Sequence, residues 1–313
     1  MPRVVELAGG VGGAKLAEGL QACGGENLTV VVNTGDDLER HGLSIWPDHD
    51  TVVYTLAGLD DEARGWGLAD EHWTVIDTLA ARGEDTWFRL GDRDIATHLV
   101  RTERLRRGDR PTHVARALAS SLGIVSTVLP MTDDEVRTEV RVDEGWIDFQ
   151  EYFVHRAQAP DVHEVRFRGI EAAEPTPEVL AAIEAAEVIV IAPSNPVVST
   201  GPILALPKMR PALVAAAERG VPVVAVSGIV GGRALRGPAD RMLASLGHES
   251  SARGVAAIYA GLASAFVLDE IDRDQAASIA GLGMRVLVTD TIMTGDAGRE
   301  RLAREVLAFA EAG

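Results

Sequence analysis

The sequence predicts a doubly wound α/β protein: a mostly parallel, Rossmann-like sheet with a smaller β-rich insertion. Two observations carry this. Short apolar runs alternate with helical periodicity at the spacing of strand–helix–strand units, which implies parallel strands and right-handed crossovers. Between about 125 and 175 the pattern changes to period two, the mark of antiparallel strands. The expected division is 1–124 and 176–313 for the nucleotide- or phosphate-binding core, with 125–175 covering the site.

The elements follow in order. Arg3–Leu7 is a short β-branched run and Ala14–Cys23 reads as a helix. Leu28–Val32 is a continuous apolar strand, the type buried on both faces. Leu99–Arg107 and His113–Leu122 are amphipathic, with Pro111 placed to start the second. Val136–Val142 and Gly145–Val154 flank Asp143-Glu144-Gly145 as a hairpin, and Val162–Ile170 adds a third strand. Alternation then resumes with helix Glu178–Ala186, strand Val188–Ala192, helix Leu213–Arg219 and strand Val221–Val226, where Pro222 is tolerated at the start. Strands Ala265–Leu268 and Val286–Thr289 and a helix Arg299–Glu311 complete the pattern.

Composition narrows the classes. The 313 residues hold 46% apolar and 25% charged residues, with a net charge of −17. Such an acidic chain lacks the basic footprint of a nucleic-acid binder. The single Cys23, mid-helix, excludes a disulfide framework and a cysteine-clustered zinc site. No segment approaches a membrane span of roughly 20 apolar residues. MPRVVELAGG runs straight into a strand, unlike a signal peptide. The expectation is a soluble, cytoplasmic protein with small-molecule partners.

In an open parallel sheet, ligands bind beyond the carboxyl ends of the strands, so the segments after each strand are the informative ones. Gly9-Gly10-Val11-Gly12-Gly13-Ala14-Lys15 follows the first strand. Its glycines let backbone approach an anion, the following helix offers free N–H groups, and Lys15, one of only two lysines, adds a point charge. The loop is neither a Walker A motif nor G-x-G-x-x-G, and a plain tight turn has the same composition. Asn33-Thr34-Gly35-Asp36-Asp37 and Pro47-Asp48-His49-Asp50 follow the second strand. Four carboxylates in so short a stretch repel unless a cation sits among them, and hard oxygen ligands beside a phosphate site suit Mg²⁺. Some of them also fit as helix N-caps, Asp50 before Thr51 above all.

Further on, Arg89-Leu90-Gly91-Asp92-Arg93-Asp94 with His98 places Asp94 and His98 at i, i+4 on one helix face if Asp92 caps it. Leu129-Pro130-Met131-Thr132-Asp133-Asp134, Phe149-Gln150-Glu151-Tyr152-Phe153, Ala192-Pro193-Ser194-Asn195-Pro196, Ser199-Thr200-Gly201-Pro202 and Ser227-Gly228-Ile229 also sit at or near predicted strand ends. So many polar or glycine-rich strand ends point to an extended phosphorylated ligand. No G-x-S-x-G elbow or histidine-based metal spacing is present, and the dinucleotide fingerprint of an oxidoreductase is missing.

The order GGVGGAKL, VVNTGDD, PDHD, WG, RLGDRDIATHL, LPMTDD, FQEYFV and APSNPVVSTGPIL resembles the 2-phospho-L-lactate transferases, called phosphoenolpyruvate transferases in actinobacteria, of coenzyme F-420 synthesis. The resemblance spans nearly the whole chain. It implies transfer of a phosphoenolpyruvyl or 2-phospho-L-lactyl group from a guanosine diphosphate ester to the ribityl hydroxyl of a deazaflavin (Fo), with release of GMP. It also implies a Mg²⁺ requirement and a homodimer. Carried over residue by residue, it places the deazaflavin at Asp50 and Arg89, the latter standing where archaeal relatives carry lysine, and the metal on Asp36 and Asp50, with Asp48 in reserve. Asp50, Asp36 and Arg89 are thus the expected catalytic residues, with Asp50 a candidate general base. Lys15, Arg89 and Arg93 would hold diphosphate oxygens against Gly10, Gly12 and Gly13, while Ser194, Asn195, Ser199 and Gly201 hold the guanosine part. The chain departs from the family pattern at Trp46, where Cys or Ser is expected, at His49, where an apolar residue is expected, and at Gly228, within Ser-Pro-Ile. The competing expectation is a related non-catalytic regulator that binds nucleotide sugars. It shares the glycine loop and an NTGDD-like stretch but lacks the PDHD and GDRD pairing.

Overall fold

The computed structural model describes residues 1–312. Its centre is a seven-stranded, wholly parallel sheet. In chain order the strands are β1 (Val4–Ala8), β2 (Leu28–Val32), the small pair β3 (Leu38–Arg40) and β4 (Leu43–Ile45), β5 (Thr127–Pro130), β6 (Arg137–Val142), β7 (Gly145–Asp148), β8 (Glu164–Arg168), β9 (Val188–Ile191), β10 (Val223–Val226), the small pair β11 (Ile229–Val230) and β12 (Arg233–Ala234), β13 (Ala265–Asp269) and β14 (Arg285–Thr289). The main sheet runs β14-β13-β10-β9-β1-β2-β5. Strands buried on both faces need no polar alternation, which is why they read as unbroken Val/Ile/Leu runs. One core packs against each face: Val5, Leu7, Ile189, Ile191 and Phe266 belong to one, and Val4, Ala8, Val30, Val190 and Val224 to the other.

Strand order fixes where a ligand goes. From β1 the chain moves outward through β2 to β5, then returns to the other side of β1 to lay down β9. The two directions diverge between β1 and β9, and the crevice beyond their carboxyl ends is the switch point of a doubly wound sheet.

The antiparallel layer is real but smaller than expected. β7-β6-β8 form a separate three-stranded sheet. Thr127–Pro130, however, pairs in parallel with β2 as the edge of the main sheet, so the expected 125–175 boundary cuts into the core. After Asp148 the chain leaves the hairpin for a π-helical turn, Glu151–His155. Strand Gly145–Val154 therefore ends six residues early.

Helix starts also differ from the sequence reading. α1 spans Gly10–Gly24, so the glycine run is its first turn rather than a loop before it. α2 spans Pro47–Leu56, with Pro47 at its first position and Asp48 and Asp50 inside its first turn; Asp50 is not its N-cap. α3 spans Thr74–Ala81 and α4 spans Asp92–Arg106. Asp92 begins α4, but its carboxylate accepts the N–H groups of Thr74 (3.2 Å) and Val75 (2.9 Å) and so caps α3.

Candidate functional site: an acidic cleft at the switch point

A cavity of about 660 Å³ opens beyond the carboxyl ends of β1, β2 and β9. Its floor is the start of α1. Gly9 is extended, and a Cβ there would lie 2.6 Å from Asp48 Oδ2 and 2.8 Å from Ser199 Cβ; one on Gly12 would overlap the Pro193 carbonyl oxygen. The glycines thus bring three segments to one place and leave the first turn of α1, whose N–H groups lack intrahelical partners, beside the cleft, with that of Gly10 directed to Asp48.

Two carboxylates flank that helix start. Asp36 and Asp48 are buried, and both line the cavity. Asp48 accepts from Asn33 Nδ2 at 2.9 Å. Burial pushes the Asp48 carboxyl up to about 6, although hydrogen bonds from Asn33 and Gly10 pull the other way. Burial, and next the charge of Asp48, lift Asp36 well above the carboxylate range. One oxygen of Asp36 has no partner at all. An orphaned buried oxygen next to a second raised acid is a donor set short of a cation.

Asp50 sits in a different electrostatic setting. Burial would raise its carboxyl, but Arg101 above all, together with His49 and His98, outweighs burial and holds it below the usual range. Arg101 Nη1 donates to Asp50 Oδ2 at 3.0 Å and Nη2 donates to Oδ1. Asp50, Asp94 and His98 could each offer one atom to a metal within 4.8 Å of the others. Yet Arg101 engages both Asp50 oxygens, and Asp94 Oδ1 accepts the Tyr54 hydroxyl at 2.7 Å. Arg101 thus offsets the charge of Asp50 and Tyr54 occupies an oxygen of Asp94, whereas the Asp36–Asp48 pair has an oxygen with no partner.

Part of the cavity wall is aromatic. Trp66, Trp87, Phe88, Phe149 and Phe153 line it. Phe149 and Phe153 stack at 5.5 Å. Arg89 also lines the cavity; its guanidinium lies 4.9 Å from the Trp73 ring and donates to Asp77 at 2.9 Å.

Of the expected site residues, Gly10, Gly12, Asp36, Asp48, Asp50, Arg89, Ser194, Asn195 and Ser199 meet in this cleft. Four do not line it. Gly13 packs where a Cβ would meet Ala8 and Ser194, and Gly201 packs against Phe167 and Pro196. Arg93 turns aside to donate to the Ala69 carbonyl at 2.8 Å. Lys15 faces a small neighbouring recess with Asp60 and Glu62. Ser194 and Asn195 are largely committed internally: Ser194 Oγ donates to the Gly9 carbonyl at 2.7 Å, and Asn195 Oδ1 accepts from Val197 N at 2.9 Å. They shape the floor more than they offer free donors. Arg101 and Tyr54 were not anticipated. Both face inward from helical segments, and only the three-dimensional pairing reveals them.

An α/β fold with acids, glycine backbone and aromatic rings converging on its switch point is the layout of a small-molecule-binding protein. The comparisons give the class a name. The family model described as 2-phospho-L-lactate transferase CofD matches residues 4–291, and the chain belongs to that family. It is 44% identical to the phosphoenolpyruvate transferase of Streptomyces griseus, covering 99% of this chain and 98% of that one. It is 38% identical to the 2-phospho-L-lactate transferase of Methanosarcina mazei, covering 97% and 99%. A Bacillus halodurans protein of the UPF0052 family has the same fold, at a TM-score of 0.61 and 15% identity over 98% of this chain and 100% of that one.

Proposed function

We propose that this transferase moves a phosphoenolpyruvyl group from its guanosine diphosphate ester to the ribityl hydroxyl of the deazaflavin Fo, releasing GMP. The observation that carries the reading is the Asp36–Asp48 pair with its orphaned oxygen beside the glycine start of α1. Identity of 39–45% to enzymes called phosphoenolpyruvate transferases, against 38% to a 2-phospho-L-lactate transferase, supports the enolpyruvyl donor.

The residues fit Mg²⁺ through Asp36 and Asp48, both hard oxygen donors, rather than through Asp50 as first expected. Bound there, it would neutralise diphosphate charge, the chief need of phosphoryl-type transfer. The N–H groups at the start of α1 then bind phosphate oxygens, and the glycines allow that approach. Arg89 and the rings of Trp87, Phe88, Phe149 and Phe153 orient the deazaflavin. Asp50, held ionised by Arg101, accepts a hydrogen bond from the ribityl hydroxyl and aims its oxygen at phosphorus. A carboxylate held so low is a poor proton acceptor, so orientation replaces the general-base role considered from sequence. As the new P–O bond forms on the phosphorus that carries the enolpyruvyl group, the P–O bond to the guanylyl phosphate breaks, and GMP leaves on a phosphate oxygen that takes up the ribityl proton. Asn195 and Ser199 shape the guanosine end.

The test is incubation with Fo, each guanylyl ester in competition, and Mg²⁺, with product masses read out. GMP release dependent on both substrates, with enolpyruvyl product dominant, is expected. Ligand binding without any GMP release would instead favour a non-catalytic nucleotide-sugar-binding regulator.

A further inference from the structure

We propose that Arg101 is the positioning residue of this site, fixing the Asp50 carboxylate in one orientation while itself seated on Trp46 and His98. The inference rests on the reading above, in which Asp50 faces the acceptor hydroxyl.

Arg101 is completely buried halfway along α4, an unusual place for a guanidinium. It does not line the cavity, so it acts on ligand only through what it holds. Both prongs of its fork engage Asp50. Nη1 also lies 3.0 Å from His98 Nδ1 and 3.3 Å from the Ser44 carbonyl oxygen. Its central carbon stands 4.4 Å from the centroid of the Trp46 ring, and Trp46 meets His49 edge-on at 5.4 Å. Trp46 and His49 therefore build one side of the seat of this arginine.

The arrangement has one consistent hydrogen-bond direction. Guanidinium has donors and no acceptor, so His98 Nδ1 accepts from Arg101 and the imidazole N–H lies on Nε2. That nitrogen lies 3.3 Å from Asp94 Oδ1 without a hydrogen bond to it, and the same oxygen accepts from Tyr54. Asp50, His98, Asp94 and Tyr54 all reach the cavity wall, and one buried cation sets the orientation of the first two. A buried ion pair is seldom retained for stability, since apolar packing often does as well. It does fix geometry: a planar fork allows the carboxylate one in-plane pose, which a lysine cannot impose.

The experiment is a double-mutant cycle of Arg101→Lys and Asp50→Asn, read as kcat and KM for both substrates beside melting temperature. Arg101→Lys is expected to lower kcat by about ten-fold or more, because small misplacements of a reacting group are costly, with the KM for the guanylyl ester little changed. In the double variant the losses are expected not to multiply: its kcat stays within about two-fold of Asp50→Asn alone, the signature of groups acting as a unit. If Arg101→Lys does not purify folded, Trp46→Leu, which removes the ring beneath the guanidinium, takes its place in the cycle. Losses that multiply, or an Arg101→Lys enzyme with wild-type kcat, overturn the positioning role alone. A wild-type chain that releases no GMP overturns the transferase reading and this proposal with it.

Discussion

Asp48→Asn probes the acidic pair most directly. In the folded chain burial lifts the Asp48 carboxyl from 3.8 to about 6. Between those values the folded state holds a proton that the unfolded state has lost, so raising pH through this window destabilises the fold. The cost is complete once pH exceeds the folded value. A shift of that size corresponds to about 3 kcal/mol at neutral pH. For a chain of 313 residues this is about 4 °C of melting temperature. Asparagine stays neutral and can still accept from Asn33. The variant should therefore melt close to wild type at pH 4.5 and about 4 °C above it at pH 7.5 in chelator. Millimolar Mg²⁺ should raise the wild type, since a ligand bound only to the folded state stabilises it, and leave the variant unmoved. Scanning calorimetry at both pH values, with and without Mg²⁺, decides this. An advantage of equal size at both pH values, or an equal response of both proteins to Mg²⁺, would falsify the assignment.

Other predictions follow from single contacts. Glu6, at the centre of β1, is buried with both oxygens unpartnered, and burial lifts its carboxyl well above the ordinary range. Glu6→Leu should stabilise by about 1–3 kcal/mol at pH 8, and less at pH 4.5, in urea titrations. Gly12→Ala should abolish transfer and destabilise by about 1–3 kcal/mol through the clash with Pro193, read by turnover and denaturation midpoint. Arg89→Ala should raise the KM for Fo and leave that for the guanylyl ester near wild type, in initial-rate measurements with each substrate varied. Arg299→Met should cost about 3 kcal/mol, because Arg299 is buried between Glu18 and Glu62, and thermal melts would show it.

Much of the frame was legible because parallel strands and their crossover helices have distinct periods. Leu28–Val32 matches β2 residue for residue, and the three antiparallel strands lie where the pattern changed. Gathering of acids was legible too, since strand ends of a doubly wound sheet converge. What failed was finer. Helix phase decided Lys15: once α1 begins at Gly10, Lys15 is carried to the neighbouring recess rather than the cleft. Pairing decided Asp50, because its counter-ion is 51 residues away inside a charged helix that resembles a solvated one. Asp92 illustrates the same limit: the local rule makes it the cap of its own helix, whereas its carboxylate serves α3. Backbone edges are local properties, but the partner of a charge is not.

Arg299 lies on helix Gly295–Glu311 and grips Glu18 of α1 and Glu62, in the loop whose Trp66 rims the cleft. On the ribosome, nearly every cleft residue is made long before this clamp. The rim can be fastened only after helix Gly295–Glu311 has been synthesised and has cleared the exit tunnel. A nascent chain can lay down the first strands of its sheet early, yet it acquires a finished binding site only once Arg299 is in place. Premature termination before Arg299 would give a protein with every cleft residue in place and no arginine to tie the rim down.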